Sequence, residues 1–187
     1  MPVRLGSKGQ PGFDEPIAMM MDCHRRIESF LGVIGRVTER FGGGPLDDEA
    51  ATALRKSLRY FRESAPKHTA DEEESLFPEL RGVDSPEAAA LLESAEALEA
   101  QHRQAEMVHA RVNETLDRWL EHGTLDAART DALRTDLAHL GAIYQEHIAY
   151  EDGTLFPAAL DMLDAEALSR VGRGMAARRG LRTANRE

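Results

Sequence analysis

The chain has 187 residues, enough for one domain with extensions, and 23 Lys and Arg against 33 Asp and Glu leave a net charge of −10. That balance argues against a general nucleic-acid binder and against docking on anionic membranes. A single cysteine, Cys23, excludes a disulfide framework and an intrachain thiolate metal cluster. With no apolar leader and no apolar run long enough to span a bilayer, the sequence predicts a soluble protein of a reducing, cytosolic compartment.

Four long helical segments follow one another, separated by short Gly and Pro punctuation. Asp14-Glu15-Pro16 predicts the first start, with an acidic cap and Pro in the first turn, and Gly42-Gly43-Gly44-Pro45 ends that helix. Asp47 is the predicted cap of the second segment, which runs through a kink or break at Pro66 to Phe77-Pro78. Ser85-Pro86-Glu87 opens the third helix, His122-Gly123 closes it, and Thr124 is read as the cap of the fourth. Connections this short between long helices predict an all-α fold, an up-down-up-down four-helix bundle around one core. Residues 1–13 are assigned to an irregular arm, 14–160 to the bundle, and 161–187 to a short helix and basic tail. Helical patterning in that last part covers Ala158 to Gly174, and from Arg170 onward six Arg and one acid read as a frayed, solvated tail.

Along each helix the apolar seam advances by threes and fours, and in every helix a histidine interrupts it. Ile17, Met20, His24, Ile27 and Leu31 mark the first; Leu58, Phe61, Ala65, His68 and Glu72 the second; Leu98, His102, Ala105, His109 and Val112 the third; Leu137, Leu140, Tyr144, His147 and Glu151 the fourth. A lone seam histidine is ordinarily a hydrogen-bonded core residue. Two seam glutamates are harder to place, because an unpaired carboxylate is strongly disfavoured in a core. Either the four His and two Glu pair among themselves, or a metal satisfies all six.

The chain also repeats itself. His24 and His102 are 78 residues apart and His68 and His147 are 79 apart; His68-x-x-x-Glu72-x-x-x-Leu76-Phe77-Pro78 returns as His147-x-x-x-Glu151-x-x-x-Leu155-Phe156-Pro157. The i, i+4 spacing sets each His and Glu on one helix face, about 6 Å apart along the axis. Two helical hairpins stacked with pseudo-twofold symmetry bring four His and two Glu around one point.

This pattern resembles the haemerythrin-like, HHE cation-binding family over about residues 15 to 160. The resemblance implies a non-haem di-iron centre, two iron ions joined by an oxo or hydroxo bridge. His24, His68, His102 and His147 stand as terminal ligands and Glu72 and Glu151 as bridging carboxylates. Imidazole with carboxylate and no thiolate is also a ligand set that suits iron. The chain departs from oxygen-carrying members on the third helix, where Glu106 stands in place of a second histidine one turn after His102. Glu106 is read either as an additional ligand or as a solvated flank beside the seam. His109, about 10.5 Å along the axis from His102, is read as core packing or pocket lining, and His122 and His139 as structural or exposed. Tyr144 is a candidate hydrogen-bond donor beside the centre, or a core aromatic, and Cys23 a small buried hydrophobe.

Two functions remain open at this stage. One is a binding protein for O2 or another small diatomic or peroxide, serving carriage, storage or sensing of O2, NO or iron. The other is a di-iron enzyme of the oxidase, peroxidase, NO-processing or iron-centre repair type.

Overall fold

The computed structural model describes residues 11–181, and among these all regular structure is helical. Residues 1–10 of the predicted arm and 182–187 of the predicted tail lie outside the described residues. The helices are α1 (Pro16–Phe41), α2 (Asp48–Glu63), α3 (Ala65–Asp71), α4 (Phe77–Arg81), α5 (Pro86–His122), α6 (Ala127–Tyr150), α7 (Phe156–Met162) and α8 (Ala165–Arg178). Two π-helical turns, Glu72–Leu76 and Glu151–Leu155, join α3 to α4 and α6 to α7 without a break. The result is five helical runs, the four expected from the seams and α8 as a fifth.

Most boundaries follow from local chemistry. Gly42 ends α1 in the left-handed conformation (φ 53°), Asp47 Oδ1 accepts from the Ala50 N–H at 2.8 Å, and Ser85 Oγ accepts from the Ala88 N–H at 3.1 Å. The expected break at Pro66 falls at Ser64, after which Pro66 occupies the first turn of α3. Two boundaries differ from expectation. Glu15 occupies the cap position of α1 without a side-chain cap bond. Asp126, not Thr124, caps α6, its Oδ1 accepting from the Arg129 N–H at 2.8 Å. The intervening Leu125 is held outside the helix, because its N–H donates to the Gly43 carbonyl at 2.7 Å. Gly43 itself has φ 81°, and a Cβ there would meet Thr130 Oγ1 at 2.2 Å, so only glycine permits this closure.

The Leu-Phe-Pro triplets account for the π turns. Pro78 and Pro157 have no N–H to continue the α-helical ladder, and their rings crowd the carbonyl four residues back. In both copies the ladder widens instead, with the Phe77 N–H donating to the Glu72 carbonyl and the Phe156 N–H to the Glu151 carbonyl.

The buried side chains form two apolar clusters. One contains Ile17, Met20, Leu76, Phe77, Leu98, Leu155 and Phe156; the other contains Ile27, Ile34, Leu58, Phe61, Ala105, Trp119 and Leu140. Between them, at the level of His24 on α1 and His102 on α5, the seams are polar. Helix α1 packs on α2 and α6, and α5 packs on α6, α2 and α4.

Helix α8 corrects the expectation of a frayed basic tail. It runs four residues beyond Gly174, to Arg178, and packs on α1, α3 and the first π turn. Asp71, fully buried next to Glu72, is bound by both Arg178 and Arg179; Arg178 also reaches Glu74 at 3.1 Å, and Arg170 binds Glu79 at 2.8 Å. Gly172 lies so close to the Phe13 carbonyl that a Cβ would stand 1.9 Å from it. Replacing Arg178 and Arg179 with alanine leaves Asp71 buried and unpaired. The expected loss in urea unfolding is about 2–3 kcal/mol, less than for a fully buried pair because both guanidiniums are partly exposed. Adding Asp71→Asn should recover part of it.

Candidate metal centre

Six side chains converge in the polar layer. His24, His68, His147, Glu72 and Glu151 are buried, the two glutamates to 0% exposure, and His102 is nearly so. Their ligand-type atoms sort into two groups, each lying within 4.8 Å: His24, His68, Glu72 and Glu151, and His102, His147, Glu72 and Glu151. Each group takes two histidines from one half of the repeat, and both share the two carboxylates. Glu72 spans the groups with separate oxygens: Oε1 lies 3.1 Å from His68 Nε2, and Oε2 lies 3.3 Å from His102 Nε2. Glu151 Oε2 lies 3.0 Å from His24 Nε2 and 3.1 Å from His147 Nε2.

These atoms are close, yet they are not hydrogen-bonded to one another in a way that satisfies them. His24 Nε2, both nitrogens of His68 and all four oxygens of Glu72 and Glu151 are buried without a hydrogen-bond partner. Orphaned buried polar atoms cost about 1–3 kcal/mol each, more when charged, so seven of them in one place, close to one another without hydrogen-bond geometry, favour a further partner. His102 Nε2 and His147 Nε2 stand 3.1 Å apart, a separation at which two lone pairs repel unless a proton or cation lies between them.

The other ring nitrogens set the tautomers. His24 Nδ1–H donates to Asp152 at 2.8 Å, His102 Nδ1–H to Glu73 at 2.8 Å, and His147 Nδ1–H to the Gln101 amide oxygen at 3.0 Å. In the neutral ring, donation from Nδ1 leaves the Nε2 lone pair facing inward, which is the tautomer a metal ligand needs. Glu73 and Asp152 follow Glu72 and Glu151 directly, so each glutamate position carries a second acid that crosses to a histidine on another helix. These two acids lie off the seams and so escape a reading by periodicity, although they recur at the same offset in both repeats. Asp152 supports α1 and Glu73 supports α5.

The electrostatics match the geometry. Burial opposes a charge on His24, but Glu151, Glu72 and Asp152 outweigh it and carry its pKa up to about 9. Burial, with the neighbouring His24, pushes His68 well below the ordinary histidine range. Burial and the adjacent Glu151 raise the Glu72 carboxyl well above the usual carboxylate range, while His147 and His24 hold Glu151 down despite its burial. Two carboxylates that crowd one another and raise the proton affinity of an imidazole create a negative potential suited to cations.

Residues 15–159 match the family model described as Hemerythrin HHE cation binding domain. The chain belongs to this family. A Haemophilus influenzae (strain ATCC 51907 / DSM 11121 / KW20 / Rd) protein described as an uncharacterized protein is 31% identical over 170 residues, covering 89% of this chain and 91% of that one. The two His/Glu groups are the part of this family member compatible with holding a metal such as iron. No helix among the described residues is long and apolar enough to cross a membrane.

The remaining candidates lie around a cavity of about 430 Å³ that reaches the cluster from outside. Glu106 is exposed on the wall of that cavity and belongs to neither His/Glu group. Tyr144 and His109 also line it, with the Tyr144 hydroxyl 2.9 Å from His109 Nε2. His139 faces outward beside Gln104, and Cys23 is buried, its carbonyl accepting from the Tyr60 hydroxyl at 3.2 Å.

Two predictions follow from this environment. Asp152→Asn and Glu73→Gln should each weaken metal affinity by about 10–100-fold in a chelator competition, with the helical circular dichroism signal unchanged. Burial holds His109 near pKa 4, below its unfolded value of about 6.5, so protonation favours the unfolded chain and stability falls as the pH drops from about 6.5 toward 4. His109→Phe should reduce the stability lost between pH 7 and pH 5 by about 1–2 kcal/mol in urea unfolding.

Proposed function

We propose that the first four helical runs form the up-down-up-down bundle of the haemerythrin-like fold and hold two iron ions, joined by an oxo or hydroxo bridge. His24 and His68 serve one ion and His102 and His147 the other, with Glu72 and Glu151 bridging both. The observation that carries this reading is the set of seven unpartnered buried atoms on residues that divide into two groups sharing both carboxylates. A self-paired core of six polar residues, the competing reading from the sequence, pairs imidazoles with carboxylates at 3.0–3.3 Å but without hydrogen-bond geometry; a pair of cations serves all of these atoms at once. Iron bound there supplies reversible electron transfer toward O2 or a related small molecule.

The chain's own residues prepare the site for that ligand. Asp152, Glu73 and Gln101 fix three imidazoles by their Nδ1 protons, while apolar clusters pack on either side of the layer and the cavity gives access to it. We assign the role as binding of O2 or another small diatomic or peroxide in a soluble cytoplasmic protein, for carriage, storage or sensing. Glu106 stays outside the ligand set. A second reading, a di-iron enzyme of the oxidase, peroxidase or NO-processing and iron-centre repair type, is favoured by one observation: the 430 Å³ cavity is far larger than a diatomic requires.

Purified protein should carry close to two irons per chain. Glu72→Gln combined with Glu151→Gln should remove the metal, and unchanged iron content in that variant contradicts the assignment. Anaerobic reduction followed by O2 separates the two roles: reversible uptake with a stable spectrum means binding, and continued O2 consumption means turnover.

A further inference from the structure

We propose that the cavity beside the cluster is a binding site for an uncharged aromatic alcohol of about the size of a phenol, with its hydroxyl anchored on the His109–Tyr144 pair. The placing of that ligand beside metal ions rests on the reading above; the pocket itself does not.

Size is the first argument. A volume of about 430 Å³ falls in the range of sites that enclose small organic ligands, roughly 300–1,000 Å³, whereas one water occupies about 30 Å³. Chemistry along the walls is the second. At the inner end stand His24, His68, His102 and His147, and the sides are apolar, formed by Ile27, Phe61, Ala65 and Ala105. Phe61, on one wall, lies against His109 with ring centroids 4.4 Å apart.

The hydrogen-bonding inventory decides the functional group. His109 Nδ1 is buried and has no partner, while Nε2 is engaged with the Tyr144 hydroxyl. Burial keeps the imidazole neutral near pH 7, so the pair carries one shared proton and one spare. If Tyr144 donates to Nε2, the hydroxyl offers a ligand its remaining lone pair. In the reverse arrangement it offers the tyrosine O–H. A hydroxyl, which both donates and accepts, is served by either arrangement.

Charge is excluded by the mouth of the cavity. Arg62 and Arg103 stand there with Glu73 and Glu106, two of each sign. Arg62 is bound to Asp117, and Glu73 is engaged by His102. Along the inner wall the cationic His24 is paired with Glu151 and Asp152, so no free cation for a carboxylate lies there.

The test uses 4-fluorophenol as probe, read by fluorine NMR on the full chain in metal-free and iron-loaded forms. The expected result is saturable one-to-one binding to both forms, with the bound resonance broadened by paramagnetic iron only in the loaded form. Tyr144→Phe, a near-isosteric change, should weaken binding about fivefold, the loss of one hydrogen bond. Ala65→Trp and Ala110→Trp, which fill the cavity from a partly buried and an exposed position, should abolish it. The anion 4-fluorobenzoate should bind the metal-free form at least about tenfold more weakly. No saturable binding to the folded protein overturns the proposal, as does binding that both tryptophan variants leave intact. Unchanged affinity in Tyr144→Phe overturns the anchoring. Binding without broadening in protein that carries iron overturns the placement beside the metals. A chain that takes up no iron yet binds the phenol contradicts the iron reading and leaves the pocket standing.

Discussion

Two carboxylates, Glu72 and Glu151, are fully buried within about 3 Å of four imidazoles, and everything nearby is arranged around that fact. A layer of this kind is unfavourable on its own. It removes charge from water and leaves seven polar atoms without partners, between two apolar clusters that offer them nothing. Cations reverse the sign of the balance, because the carboxylates that repel each other then converge on shared positive charge. On the proposed reading metal binding and folding are coupled, and the layer is the point where they meet.

The surroundings distribute the work unevenly between the two halves of the repeat. Asp152 and Glu73 occupy equivalent positions and cross to equivalent histidines, so the support of His24 and His102 is symmetric. Around the π turns the symmetry breaks. Asp71 and Glu74 meet the arginines of α8, whereas the matching positions of the second copy are Tyr150 and Gly153. His68 is also the one cluster histidine whose Nδ1 is unpartnered. The first half is thus held from behind by ion pairs to α8, although both copies run without a break through their π turns. A duplicated hairpin has become two unlike halves of one site.

The sequence showed the cluster more fully than it showed the cluster's support. Seam periodicity and the 78- and 79-residue repeats were enough to bring the six residues together, because burial and helix geometry leave few other ways to place them. The caps at Asp47 and Ser85 and the break before Pro66 were legible for the same local reasons. The π turns were not, since they arise when proline meets a packed helix, although the Leu-Phe-Pro triplets carried the signal. Glu73 and Asp152 lie beside the seam and drew no reading from its periodicity; helix packing turns them toward His102 and His24. The arginines of α8 were misread because a run of positive charge reveals nothing about a buried partner 107 residues earlier, at Asp71. Thr124 was misplaced as a cap because the pairing of Leu125 with Gly43 is a contact between loops.

The most direct test of the account is X-ray absorption on the iron-loaded protein. The account predicts a nitrogen and oxygen shell without sulfur, scattering from about two imidazoles per iron, and a metal–metal vector that vanishes in the Glu72→Gln, Glu151→Gln variant. A single isolated iron, or a shell lacking imidazole, would contradict it.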